Sequence, residues 1–250
     1  MKAGLPGFLS HRFDPAGRYG LRVTLFAIAA LLVMVPFSYL LVQVTSEGPL
    51  TETDTAVAEA LHESVRGSPT LIAVSHVVSF IGSPVWFYVI VGASAWWFWR
   101  RNDRRIAIFL VVTSLAGGAV DTVVKVLVNR PRPEVEDPIT HAFGKSFPSG
   151  HAMSSTVVYG ALLLAFIPFI SKRVRPWAIA GYVVLVVLVS ASRLSLGVHF
   201  VSDVVGGVVL GAAWLAIAVA AFSIWRREIG KPPVDVMEGV EPEGTAGQRT

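Results

Sequence analysis

The chain has 250 residues, of which 53% are hydrophobic and 15% charged, where soluble domains carry about 25% charge. That balance, with a mean hydropathy of +0.61, excludes a disordered chain, a coiled coil and an ordinary soluble enzyme. The absence of cysteine excludes disulfides, thiolate metal sites and cysteine nucleophiles. The net charge of +4 does not point to nucleic acid, because the Lys and Arg residues are spread along the chain rather than gathered in one patch.

The apolar residues arrive in blocks, and a helix needs about 20 of them to cross a bilayer. The blocks predict spans over 23–44, 84–99, 106–128, 149–170, 177–194 and 202–225. The first is read as an uncleaved span, since no small-residue cleavage site follows it. The second is short and ends on Trp96, Trp97 and Trp99, as an interfacial aromatic belt would. Between these two, Val57, Leu61 and Val65 recur at helical spacing, which predicts an amphipathic helix over 51–68. The stretch 69–80 is apolar but too short to cross and reads as an interfacial helix. The expected fold class is therefore all-α. It is an integral membrane bundle of six helices, with a short extracytoplasmic amphipathic segment between the first two. Residues 1–228 form one domain, and the Gly-, Pro- and Glu-rich 229–250 form a disordered cytoplasmic tail.

Lys and Arg set the orientation. With the N-terminus inside, fifteen of the 21 fall on cytoplasmic segments, among them Arg100, Arg101, Arg104 and Arg105. Six fall on the other face: Arg66, Lys125, Arg130, Arg132, Lys145 and Arg193. The split predicts cytoplasmic N- and C-termini. Five of the six outward cations lie at or near three short motifs, and they break the charge rule for a separate reason.

The first motif is Lys125 with Arg132-Pro133 seven residues on. It reads either as a snorkelling lysine at a proline-stopped helix end or as a cation cluster for a phosphate, Arg132 offering a planar fork and Lys125 a point charge. The second is Pro148-Ser149-Gly150-His151, just before an apolar run. Ser149 suits an N-cap, Gly150 admits close backbone approach, and free N–H groups at a helix start favour an anion. A plain capped helix with an interfacial histidine remains the alternative. The third runs from Ser192-Arg193 to His199 and Asp203, which share a helical face. The pair either satisfies itself or is an imidazole oriented by a carboxylate so that its other nitrogen can attack. In the predicted topology all three motifs meet at one membrane face.

Together these eleven residues resemble the signature of the type-2 phosphatidic acid phosphatase superfamily: K-x6-R-P, P-S-G-H and S-R-x5-H-x3-D. The resemblance implies a metal-independent hydrolase of phosphate esters or anhydrides that needs no cofactor. It implies His199 as the nucleophile, forming a phosphohistidine, with Asp203 orienting it. His151 becomes the acid that protonates the leaving oxygen and then the base for water. Lys125, Arg132, Arg193, Ser149 and Gly150 become the phosphate cradle. The implied partner is a lipid phosphate in the cell membrane, met on the extracytoplasmic face. A polyprenyl diphosphate such as undecaprenyl diphosphate is the favoured substrate on what bacterial relatives do. A phosphatidylglycerol-phosphate or phosphatidic acid phosphatase, a lipid phosphotransferase and, outside enzymes, a transporter are the alternatives.

Other residues read more plainly. Asp121, one turn before Lys125, is its intrahelical partner rather than a catalytic group. Arg130 and Lys145 are rim charges, solvated or steering anionic headgroups. His141 is structural, His62 and His76 are interfacial bystanders, and His11 belongs to the tail.

Overall fold

The computed structural model describes residues 35, 37–46, 49–134, 139–140, 142–228 and 239–240. Among the described residues the helices run in the order α1 (Pro49–Arg66), α2 (Pro69–Phe80), α3 (Pro84–Arg100), α4 (Arg104–Val128), α5 (Gly150–Phe166), α6 (Arg175–Ser195) and α7 (Val201–Glu228). A 3₁₀ turn, Ile167–Phe169, extends α5. Among the described residues there is no β-strand, and the molecule is all-helical. The first expected span lies largely outside the described residues; its part over 37–44 is helical. His11 and His141 lie outside them as well.

Local chemistry explains the helix ends. Ser68 and Ser83 each accept a hydrogen bond from a first-turn N–H, and a proline follows each, where its missing donor costs nothing. Asn129 ends α4 in the left-handed conformation, with its N–H on the Lys125 carbonyl. Four helices are long and apolar enough to cross a membrane: α4, α5 with its 3₁₀ turn, α6 and α7. The α2–α3 pair, bent by 44°, meets the same test only when taken together, as a broken span or a re-entrant loop. The stretch 69–80 forms a helix of its own, α2, set off from α3 by the break at 81–83.

Helix α5 is the hub. Of its apolar window 61% is buried, against 22–33% for α4, α6 and α7, so α5 sits inside the bundle while the others expose their valines and leucines outward. The α7 glycines make the closest approach possible. A Cβ at Gly207 would lie 2.6 Å from the Ser149 carbonyl oxygen, and one at Gly211 would lie 2.9 Å from that of Met153. This pins the start of α5 against α7.

The expectations for α1 need correction here. The buried stripe of α1 is Asp54, Ala58, His62 and Val65, whereas Val57 is 37% exposed. His62 is therefore buried rather than a bystander. The helix turns two polar groups inward because the structure supplies partners for them, which an apolar-periodicity reading does not anticipate. The disordered-tail expectation lies outside the described residues except at Gly239 and Val240. Val240 is fully buried, and its N–H donates to the Leu164 carbonyl at 2.9 Å. That burial holds these two residues in place.

Candidate active site

The three motifs meet. The end of α4 and the loop after it bring Lys125 and Arg132, the start of α5 brings Gly150 and His151, the end of α6 brings Arg193, and the α6–α7 connection brings His199. All six line one cavity of about 700 Å³. Its other walls are mostly apolar, from Pro84, Phe87, Tyr88 and Val91 on α3 to Val111, Leu115 and Ala119 on α4, with Ser114, Thr122 and Ser154 among them. Ser149 and Asp203 stand behind this surface, each 0% exposed.

The sequence of α7 explains the His–Asp pair. Phe200 precedes the helix, and Asp203 is its third residue. One Asp203 carboxylate oxygen, Oδ2, accepts the Phe200 N–H at 2.9 Å, closing the helix start. The same oxygen lies 3.3 Å from His199 Nδ1. A neutral imidazole protonated at Nδ1 donates to that carboxylate and keeps its lone pair on Nε2. Burial pushes the His199 imidazole down to about 4, although Asp203 pulls the other way, so the ring is neutral at pH 7. The Nε2 lone pair points at Arg132, whose Nη1 is 3.2 Å away. Arg132 is fixed by donating to the carbonyls of Val198 (2.7 Å), Gly144 (3.1 Å) and Phe143 (3.1 Å).

The remaining cations are tethered to the same wall. Lys125 Nζ donates to both Asp121 oxygens, at 2.6 and 2.7 Å, and to the Pro148 carbonyl at 2.7 Å. Asp121 is therefore the intrahelical partner the sequence indicates. Gly150 leaves room for this pair, since a Cβ there would meet Asp121 at 3.0 Å and Lys125 Nζ at 3.2 Å. Arg193 donates to the Ser79 hydroxyl through Nη1, and its buried Nε has no hydrogen-bond partner among the described residues. Ser149 occupies the N-cap position of α5, but its hydroxyl makes no capping bond. Its Oγ is buried without a partner among the described residues, and the first-turn N–H groups are not taken by it.

Sequence reasoning placed Arg130 wrongly. It is 7% exposed rather than a solvated rim charge, stacked 4.1 Å over the Phe200 ring and ion-paired to Asp203 and Asp54. Asp54 was not singled out at all. The one readable signal was the surplus of outward cations, which demands carboxylate partners from elsewhere in the chain. Lys145 is exposed, as expected of a rim charge.

A chemical site follows from this geometry: a neutral oriented imidazole, a second histidine, three cations and free helix N–H groups facing one space. Residues 106–227 match the PAP2 superfamily model. The chain is 36% identical over 155 residues to phosphatidylglycerophosphatase B of Bacillus subtilis, covering 60% of this chain and 70% of that one. It is 27% identical over 154 residues to undecaprenyl-diphosphatase BcrC of the same organism, covering 60% and 72%. The crystal structure of a transmembrane PAP2-type phosphatidylglycerolphosphate phosphatase from Bacillus subtilis superposes with a TM-score of 0.69 at 27% identity, over 77% of this chain and 94% of that one.

Proposed function

This chain belongs to the PAP2 superfamily and is a multi-pass membrane lipid phosphatase, a hydrolase of phosphoric esters, and we propose on that premise that its substrate is phosphatidylglycerophosphate, cleaved through a phosphohistidine. One observation carries the reading: one cavity has a polar end that holds Lys125, Arg132, Arg193, His151 and His199 and mostly apolar walls from α3 and α4. A phosphate monoester fits the polar end and its acyl chains the apolar one.

In this reading Arg132 turns from His199 Nε2 to the incoming phosphate. Nε2 attacks phosphorus as the bond to the lipid oxygen breaks, and His151, which takes up a proton as the anionic phosphate binds beside it, gives that proton to the lipid oxygen. Water then attacks the phosphohistidine while His151 takes its proton, and inorganic phosphate leaves with His199 restored. Lys125, Arg132, Arg193, the Ser149 hydroxyl and the Gly150 N–H stabilise charge on the equatorial oxygens. Asp203 holds the imidazolium that forms.

Phosphatidylglycerophosphate replaces the polyprenyl diphosphate favoured on sequence, because the 36% relative bears that name. The polyprenyl diphosphate stays as the second reading, favoured by the 27% relative. Phosphate release from both lipids by the purified protein in detergent separates them. Phosphatidylglycerophosphate should give the higher kcat/KM, and a preference of about tenfold or more for the diphosphate would reverse the assignment.

The site faces outward in a six-span, N-in arrangement, supported by the distribution of Lys and Arg. A cysteine at Thr140 should react with an impermeant thiol reagent in intact cells, and one at Ser171 only after permeabilisation. The reverse pattern inverts the topology and leaves the chemistry standing.

A further inference from the structure

Behind His199 lies a buried chain of charges that extends well beyond the His–Asp pair. Asp203 Oδ1, the oxygen not facing His199, accepts from Arg130 Nη1 at 2.7 Å. Arg130 Nη2 donates to Asp54 Oδ2 at 3.1 Å. Asp54 comes from α1, outside the residues matched by the family model. Its Oδ1 accepts the Ser202 N–H at 3.0 Å, in the first turn of α7, and its Oδ2 also accepts from the Ser202 hydroxyl. That hydroxyl oxygen lies 2.7 Å from Arg130 Nη1. Asp54, Arg130 and Asp203 are 6%, 7% and 0% exposed.

The charges decide what this arrangement does. Arg130 alone against Asp203 would neutralise the carboxylate that His199 depends on. Asp54 takes the other side of the guanidinium, so the three buried groups carry one net negative charge. The imidazolium formed when His199 attacks phosphorus offsets it, so the buried set behind the cavity ends the step neutral. Asp54 also ties α1 to the N-terminus of α7, where a carboxylate is favoured by the free N–H groups.

We propose that Asp54, acting through Arg130, is a positioning residue for the reaction: it fixes the start of α7 and keeps the Asp203 charge available to His199. The proposal rests on the phosphohistidine reading above. Asp54 does not touch the cavity, so its effect belongs in kcat and not in KM.

The test uses the full-length protein in detergent, with His199→Ala as reference and phosphate release from a lipid phosphate as readout. Asp54→Asn keeps one acceptor, for the Ser202 N–H, and removes the charge together with the oxygen that accepts from Arg130 and the Ser202 hydroxyl. It should lower kcat by about tenfold or more with KM within about twofold. Arg130→Gln then removes the cation that Asp54→Asn leaves unbalanced, so the double variant should be no less active than Asp54→Asn alone. Losses that multiply, or Asp54→Asn with unchanged kcat, overturn the proposal.

A pH profile gives a second and independent reading. The groups facing His199 are Asp203 from α7, Arg132 from the α4–α5 loop, Arg193 from α6 and His151 from α5, with Lys125 of α4 on the same cavity. Arg130→Gln leaves both Asp54 and Asp203 to favour the imidazolium, so the acid limb of kcat/KM should move up by about one unit. A role confined to stability would lower the melting temperature and leave that limb in place, which counts against the proposal even where Asp54→Asn does not fold. Full activity of His199→Ala overturns the underlying mechanism instead, so the two failures are told apart.

Discussion

The molecule treats its arginines in two ways. At the α3–α4 turn, each of Arg100, Arg101, Arg104 and Arg105 lies over an aromatic ring, at centroid distances of 4.6–5.7 Å. At the other end of α4, about 35 Å away along its axis, Arg130, Arg132 and Arg193 are held by carboxylates, carbonyls and a hydroxyl. Stacking on an aromatic ring suits a cation at an interface. Planar bonding through the donors fixes each nitrogen in space and suits a site that must present charge to a phosphate. Arg130 does both, stacking over Phe200 while carboxylates take its donors, so it is the bonding of the donors that marks the cations of the site.

The largest expected effect falls on the histidine served by the second group. His199→Ala should lower turnover by more than about a thousandfold, since only binding and electrostatic terms remain. A phosphoryl adduct trapped on any other residue would remove His199 from the mechanism. Next comes Arg132→Lys, which keeps the charge but loses the fork shared among Val198, Gly144 and His199. Its kcat should fall by about ten- to a hundredfold, and near-normal activity would show that charge alone suffices there.

A smaller effect concerns pH. Desolvation puts His199 at about 4, so it loses its nucleophilic lone pair only as the pH falls through that value. The acid limb of kcat/KM should lie near pH 4 rather than near 6.5, the ordinary histidine value. A limb at the ordinary value would mean that water reaches the ring. The smallest effect belongs to the stacked arginines. Arg101→Ala, which loses contacts with Trp97 and Phe169, should cost about 1 kcal/mol of stability and leave kcat/KM within about twofold. A large catalytic loss there would erase the contrast between the two ends.

The sequence made the motif residues legible because a phosphate site needs particular side chains at particular spacings, and eleven of them stand together over Lys125–Asp203. The bounds of α4, α6 and α7 were legible for a similar reason, as long apolar runs between charged ends. Asp54 and Arg130 were not. Asp54 sits in a helix with Glu52, Glu59 and Glu63 and reads as part of a solvated acidic face. Arg130 sits between Asn129 and Pro131 and reads as a loop cation. Their pairing spans 76 residues, and no local pattern encodes it. Gly82 is a similar case: its place in a Gly-Ser-Pro turn reads as a plain break, whereas a Cβ there would come within 2.3 Å of Val189 on α6 and 3.3 Å of His151.

Arg132 resting on His199 Nε2 has a chemical consequence for an enzyme surrounded by lipid. A desolvated, neutral imidazole is a competent nucleophile toward any electrophile that drifts into its cavity, and the ester carbonyls of neutral lipids are abundant there. With its lone pair engaged by a guanidinium, the ring is masked. Only a ligand that outbids it for Arg132, meaning an anion with oxygens set for a planar fork, uncovers the nitrogen. On the proposed mechanism the substrate's own charge therefore serves as the key, and the empty enzyme stays chemically quiet among esters it has no business cleaving.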